Sequence, residues 1–77
     1  MGLDPASVLE IDSGHIELYK LLKLQGLVSS GGSAKLLIAE GEVKVNGKVE
    51  RRKRKKILAG DIVEFRGDKV ELRVRKR

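Results

Sequence analysis

Gly41-Glu42-Val43-Lys44-Val45-Asn46-Gly47-Lys48-Val49 is the stretch on which the fold turns. Before it, apolar residues recur at helical spacing; from Val43 onward they recur at every second position. Val43 and Val45 alternate with Lys44, and Asn46-Gly47 is the strongest short hairpin signal, because both residues tolerate a left-handed backbone. Two loop lengths fit. A two-residue loop places Val45 opposite Lys48 and sends Val49 to the face of Lys44, whereas a three-residue loop, Asn46-Gly47-Lys48, pairs Val45 with Val49. Keeping the valines together favours the three-residue loop, since a slip of one residue moves an apolar side chain into water.

Upstream of this stretch, Ser29 or Ser30 opens a helix that carries Ala34, Leu37 and Ile38 on one face and ends at Gly41. His15–Gln25 predicts an earlier helix. Leu18, Leu21 and Leu22 share one face, extended by Tyr19, with Glu17, Lys20 and Lys23 opposite; Ser13 suits its N-cap and Gly26 its C-terminal turn. Val8, Leu9 and Ile11 predict a short strand closed by Asp12-Ser13-Gly14. Residues 1–7 read as a loose tail without the apolar segment of a signal peptide. Downstream, Ala59-Gly60-Asp61 is a turn in which Asp61 is expected to bond local backbone. Ile62–Phe65 and Val70–Val74 then read as strands around Arg66-Gly67-Asp68, with Val70, Leu72 and Val74 on one face. The expected architecture is one domain, residues 8–77, of the α+β class: two short helices packed against a small, mainly antiparallel sheet.

Composition narrows the chemistry. A chain of 77 residues buries only about 60% of its unfolded surface, so the core is small. With no cysteine there is neither a disulfide nor a thiolate metal site, and the single histidine, His15, leaves no two-imidazole site. Ser29, Ser30 and Ser33 have no histidine near them in sequence to activate them, and nothing pairs Glu40 with Glu42 as acid and base. No catalytic residue, metal or cofactor is expected, and no apolar run approaches the ~20 residues that span a bilayer.

Charge is the informative quantity. Lys and Arg number 17 against 11 Asp and Glu, a net charge of +6. Residues 1–34 carry Lys20 and Lys23 against Asp4, Glu10, Asp12 and Glu17, a net −2; residues 35–77 carry the other 15 bases and 7 acids, a net +8. Within that half, Arg51-Arg52-Lys53-Arg54-Lys55-Lys56 is an unbroken run of cations. Such a run repels itself, and a polyphosphate that neutralises it relieves the repulsion and releases condensed counterions. Tyr19 and Phe65 are the only aromatic residues, which argues against a stacking platform for single-stranded bases of the kind sheet-based RNA binders use. Ser29-Ser30-Gly31-Gly32-Ser33 admits two readings, a capped flexible loop or a helix start whose N–H groups approach a phosphate with Lys35 beside it.

In this order, Gly26-Leu27-Val28-Ser29-Ser30, Ala34-Lys35, Leu37-Ile38, Gly41, Val43 to Val49 and Gly60-Asp61 resemble the RNA-binding domain of the small-subunit ribosomal protein S-four, whose core is the alpha-L motif. The likeness spans about residues 15–65, and the short chain resembles the stand-alone bacterial members. It implies two helices on a small sheet holding structured RNA, ribosomal or transfer RNA, against a basic surface to which the second helix's start and the hairpin contribute. The positions concerned are Ser30, Ser33, Lys35, Lys44 and Lys48; Lys20, Lys23 and the cations from Arg51, Arg52, Lys53, Arg54, Lys55 and Lys56 complete the expected RNA-binding set. Two positions depart from the family pattern: Glu17-Leu18-Tyr19 stands where Arg-Leu-Asp is common, and Gly31 stands where an Arg often follows the serine. The expectation is therefore a monomeric, cytoplasmic, non-catalytic RNA-binding module, associated with the ribosome and not with a membrane. An acidic protein partner and non-specific duplex DNA are the competing partners.

Overall fold

The computed structural model of the chain describes residues 7–12 and 14–75. Its elements run β1 (Ser7–Ile11), β2 (His15–Glu17), α1 (Leu18–Leu24), α2 (Gly31–Ala39), β3 (Val43–Val45), β4 (Lys48–Val49), β5 (Lys56–Leu58), β6 (Ile62–Phe65) and β7 (Asp68–Val74). Five strands form one sheet in the order β1-β7-β6-β3-β4, in which only β1 and β7 run parallel; β2 and β5 make a separate antiparallel pair. The architecture is the expected α+β arrangement with a mainly antiparallel sheet. Ser7, assigned to the tail by sequence, is the first residue of β1.

One face of the sheet is buried. Val43, Val45, Val63, Phe65, Val70 and Leu72 meet Leu18, Leu21 and Leu22 of α1, Ala34 and Ile38 of α2, and Ile57 of β5 in a single apolar core. The strand alternation seen in sequence is therefore the alternation between core and solvent. No helix among the described residues is long and apolar enough to cross a membrane.

The structure corrects the sequence reading at three places. First, α1 begins at Leu18, because His15–Glu17 is strand. Ile16 pairs with Ile57, and the Leu18 and Tyr19 amides donate to the carbonyls of Lys55 and Lys53 at 2.9 and 3.1 Å. A distant segment thus takes the first N–H groups of the helix, and Glu17 occupies the cap position without a side-chain bond. Ser13, expected there, lies outside the described residues. Second, the β3–β4 loop has two residues: Val45 pairs with Lys48 and Lys44 with Val49. Asn46 and Gly47 take φ of 52° and 86°, the left-handed pair of a tight hairpin turn. Val49 is left 47% exposed, a loss of no more than about 1.5 kcal/mol of burial. Against it, Asn46 is locked in place. Its amide nitrogen donates to Asp61 Oδ1 and its Oδ1 accepts from the Ile62 amide, both at 2.9 Å. Third, β7 starts at Asp68 rather than Val70, because Arg66-Gly67 alone makes a second left-handed turn that pairs Phe65 with Asp68.

Other local expectations stand. Ser30 caps α2, accepting from the Ser33 amide at 3.1 Å. Gly26 and Gly41 follow their helices with φ of 72° and 81°. Asp61 Oδ2 accepts from the Leu58 amide at 2.8 Å, the local backbone bond expected of it.

Candidate nucleic-acid interface

The basic run leaves β4, crosses the start of α1 and enters β5, with its backbone turned inward. Lys53 and Lys55 use their carbonyls on the α1 amides, and the Lys55 amide donates to the Arg52 carbonyl at 3.1 Å, closing a turn. Glu50 fixes the beginning of the loop. Its Oε2 accepts from the Arg52 amide at 3.0 Å and from Arg52 Nε at 2.8 Å, and its Oε1 accepts from Nη2 at 3.3 Å. The Arg52 guanidinium holds the Glu50 carboxyl below its usual range, with the Arg52 amide and the Lys55 charge adding to the effect and partial burial opposing it. With the backbone committed inward, Arg52, Arg54, Lys55 and Lys56 wall an open cleft of about 380 Å³.

Arg51 is placed differently. A β-carbon on Gly41 would lie 2.8 Å from one of its guanidinium nitrogens, so the missing side chain at Gly41 lets Arg51 settle just beyond the end of α2. Cations are favoured at that end of a helix.

A second group of cations surrounds Tyr19. Lys35 Nζ stands 4.7 Å from the ring centroid and Lys20 Nζ 5.9 Å, within the range of cation–π attraction. Gly31, at the start of α2, faces the ring edge. Tyr19, Lys20, Lys23, Leu24 and Gly31 line a cleft of about 330 Å³. Because the Tyr19 amide also donates to Lys53, this group adjoins the basic loop. Ser30 and Ser33 bond each other, Oγ to Oγ at 3.2 Å, in addition to forming the cap.

The remaining expected residues divide. Lys48, the cross-strand partner of Val45, is exposed at the edge of the sheet on the helix side. Lys44 points the other way: between the buried Val43 and Val45, and opposite Glu64, it belongs to the outer sheet face. On that face Lys69 lies 3.7 Å from Glu64 and Arg73 3.4 Å from Glu71. The structure thus gathers Lys20, Lys23, Lys35 and the basic loop, and separates Lys44 from them.

Among the described residues, Lys23, Lys35, Lys44, Lys48, Arg51, Lys53, Arg54, Lys55 and Lys56 have no carboxylate within ion-pair distance, and of these Lys44 alone lies on the outer sheet face; Lys20 pairs weakly with Glu17 at 3.8 Å. No group of metal-ligating side chains converges among the described residues. Sequence reasoning missed three contributors: Tyr19 as the centre of a cation cluster, Glu50 as the anchor of the basic loop, and Gly41 as the seat of Arg51. Glu50 was findable, since a lone acid opens the run of six bases; the other two depend on tertiary contacts.

Known proteins resemble this chain in sequence and in fold. A sequence model of the S4 domain matches residues 9–73. The Escherichia coli protein named "Putative RNA-binding protein YbcJ" is 57% identical over 58 residues, which cover 75% of this chain and 83% of that one. The Bacillus subtilis protein named "Probable ribosome maturation protein RlbA" is 40% identical over 62 residues, covering 80% and 87%. The solution structure of E. coli YbcJ, described as containing an alfaL motif involved in RNA binding, superposes with a TM-score of 0.69 and 44% identity, covering 95% of this chain and 94% of that one. The 30S ribosomal protein S4e of Thermoplasma acidophilum superposes with a TM-score of 0.57 and 26% identity, over 75% of this chain and 31% of that one.

Proposed function

This chain belongs to the S4 domain family, and on that footing we propose that it binds structured RNA, ribosomal or transfer RNA, by clamping the phosphate backbone without catalysing a reaction. The observation that carries the reading is the set of cations on the helix side of the sheet that lack carboxylate partners among the described residues. Phosphates supply the missing counter-charge, and displaced counterions supply free energy. Arg51, Arg52, Lys53, Arg54, Lys55 and Lys56 make the main contact. Lys20, Lys23, Lys35 and Lys48 extend it, Ser30 and Ser33 offer hydroxyl groups at the start of α2, and Lys44 contributes from the periphery.

The names and likenesses of the relatives favour ribosomal RNA: one is named for ribosome maturation, and another solved neighbour is a 30S subunit protein. The protein acts as a cytoplasmic monomer associated with the ribosome, and needs no cofactor. Competition at matched salt tests the partner. A structured ribosomal RNA fragment displaces a labelled RNA probe at lower concentration than duplex DNA of equal length, because only RNA offers 2′-hydroxyl groups and A-form shape. Equal competition would reduce the protein to a general polyanion binder. Retention of an acidic protein instead of RNA would overturn the proposal.

A further inference from the structure

The two clefts differ in chemistry. The one framed by Arg52, Arg54, Lys55 and Lys56 has cationic side chains on all its walls, which suits an anionic group such as phosphate. The one at Tyr19 has an aromatic ring, the Leu24 side chain, which is 64% exposed, and the bare backbone of Gly31, with Lys20 and Lys23 at its margin. An apolar pocket with a cationic margin matches a nucleotide, whose base is flat and apolar on its faces and whose phosphate is anionic. At about 330 Å³ it lies at the small end of ligand sites. Lys35, 4.7 Å from the ring centroid, is not among the residues of the cleft wall.

The geometry points to the Tyr19 cleft as a docking site for one unpaired nucleotide of the bound RNA, its base against the Tyr19 ring and Leu24 and its phosphate between Lys20 and Lys23. This rests on the RNA-binding reading and specifies the class of RNA: helical RNA with a bulged or looped-out base close to the segment gripped by the basic loop. The cleft adjoins that loop through the bond from the Tyr19 amide to the Lys53 carbonyl. Stacking is tolerant of base identity because every base has a π-face, so the site selects unpaired structure rather than sequence.

Tyr19 is the only tyrosine and the chain has no tryptophan, so its intrinsic fluorescence reports the cleft directly. Two RNA hairpins serve as probes, one with a single bulged adenosine and one fully paired. The bulged hairpin quenches Tyr19 fluorescence and the paired one does not. Tyr19→Leu loses about tenfold more affinity for the bulged hairpin than for the paired one, and keeps the salt dependence of both. Tyr19→Phe, which retains the ring, keeps the preference for the bulge. Absence of quenching by the bulged hairpin, or an equal loss on both hairpins with Tyr19→Leu, would overturn the docking site. Persistence of salt-dependent binding in that case would leave the phosphate clamp standing, so the two failures are distinguishable.

Discussion

The cations that follow β6 and those that precede β5 are the same kinds of side chain in opposite electrostatic states. Arg66, Lys69, Arg73 and Arg75 each lie 3.4–3.7 Å from a carboxylate: Glu42, Glu64, Glu71, and Glu10 with Asp12. In the loop from Arg51 to Lys56, only Arg52 has such a partner among the described residues, and that pair fixes the loop's backbone. The comparison teaches that net charge alone does not locate a binding surface. Alternating strands place acids beside bases on one sheet face, whereas an unbroken run carried over the start of a helix has no acids to meet. The field of the protein is therefore uneven, and its positive lobe lies on the helix side of the sheet.

The largest effect is expected from emptying that lobe. Replacing Lys53, Arg54 and Lys56 together with glutamine lowers RNA affinity by a factor of about 10² to 10³ at moderate salt. It also makes the slope of log affinity against log salt shallower by roughly 2 to 3. The circular dichroism spectrum stays that of the wild type, since these side chains are exposed. Fluorescence anisotropy titrations across a salt series measure both quantities. A loss of affinity with an unchanged slope would break the comparison.

Gly41→Ala comes next. Its φ of 81° strains any β-carbon, and the new methyl group must displace the Arg51 guanidinium at 2.8 Å. A loss of about 1–2 kcal/mol in folding stability is expected in urea unfolding, together with weaker RNA binding as Arg51 shifts. Glu50→Gln has a smaller and pH-dependent effect. The Glu50 carboxyl titrates below its unfolded value, so its contribution is fully present above the ordinary glutamate range and is lost as pH falls through the lowered native value. The variant accordingly melts at a lower temperature than the wild type near neutrality, and the two melting temperatures converge on acidification. A difference that persists in acid would mean that packing, not charge, holds the loop.

Arg73→Gln sits at the bottom of the scale. Its side chain is largely exposed beside Glu71, so stability changes by no more than about 0.5 kcal/mol and RNA affinity does not change. A marked loss of RNA binding would extend the interface from Lys44 across the outer sheet face to β7 and erase the contrast between the two regions.

Local chemistry was legible in the sequence wherever a residue acts on its own neighbours. The Ser30 cap, the left-handed Gly26 and Gly41, and the Asp61 bond to backbone all depend on contacts close in the chain, and the place of the hairpin at Asn46-Gly47, though not its loop length, was marked by the turn residues themselves. The pairing of β2 with β5 was not legible. Each strand has three residues, Lys56 is hidden inside the cationic run, and the helical spacing of Leu18, Leu21 and Leu22 extends plausibly back over His15–Glu17. The hairpin register failed for a related reason: the rule that valines stay together assumes a long buried strand, and β4 has two residues at a sheet edge. In the site, the cationic run was evident, but its inward backbone, the gathering of Lys35 and Lys20 around Tyr19, and the turning of Lys44 to the far face are products of tertiary packing.

The salt dependence of RNA binding by the wild-type protein tests the central claim most directly. If the unpaired cations clamp about six phosphates, log affinity falls against log salt concentration with a slope of roughly −4 to −5. A slope near zero, with affinity retained at high salt, would contradict the phosphate clamp.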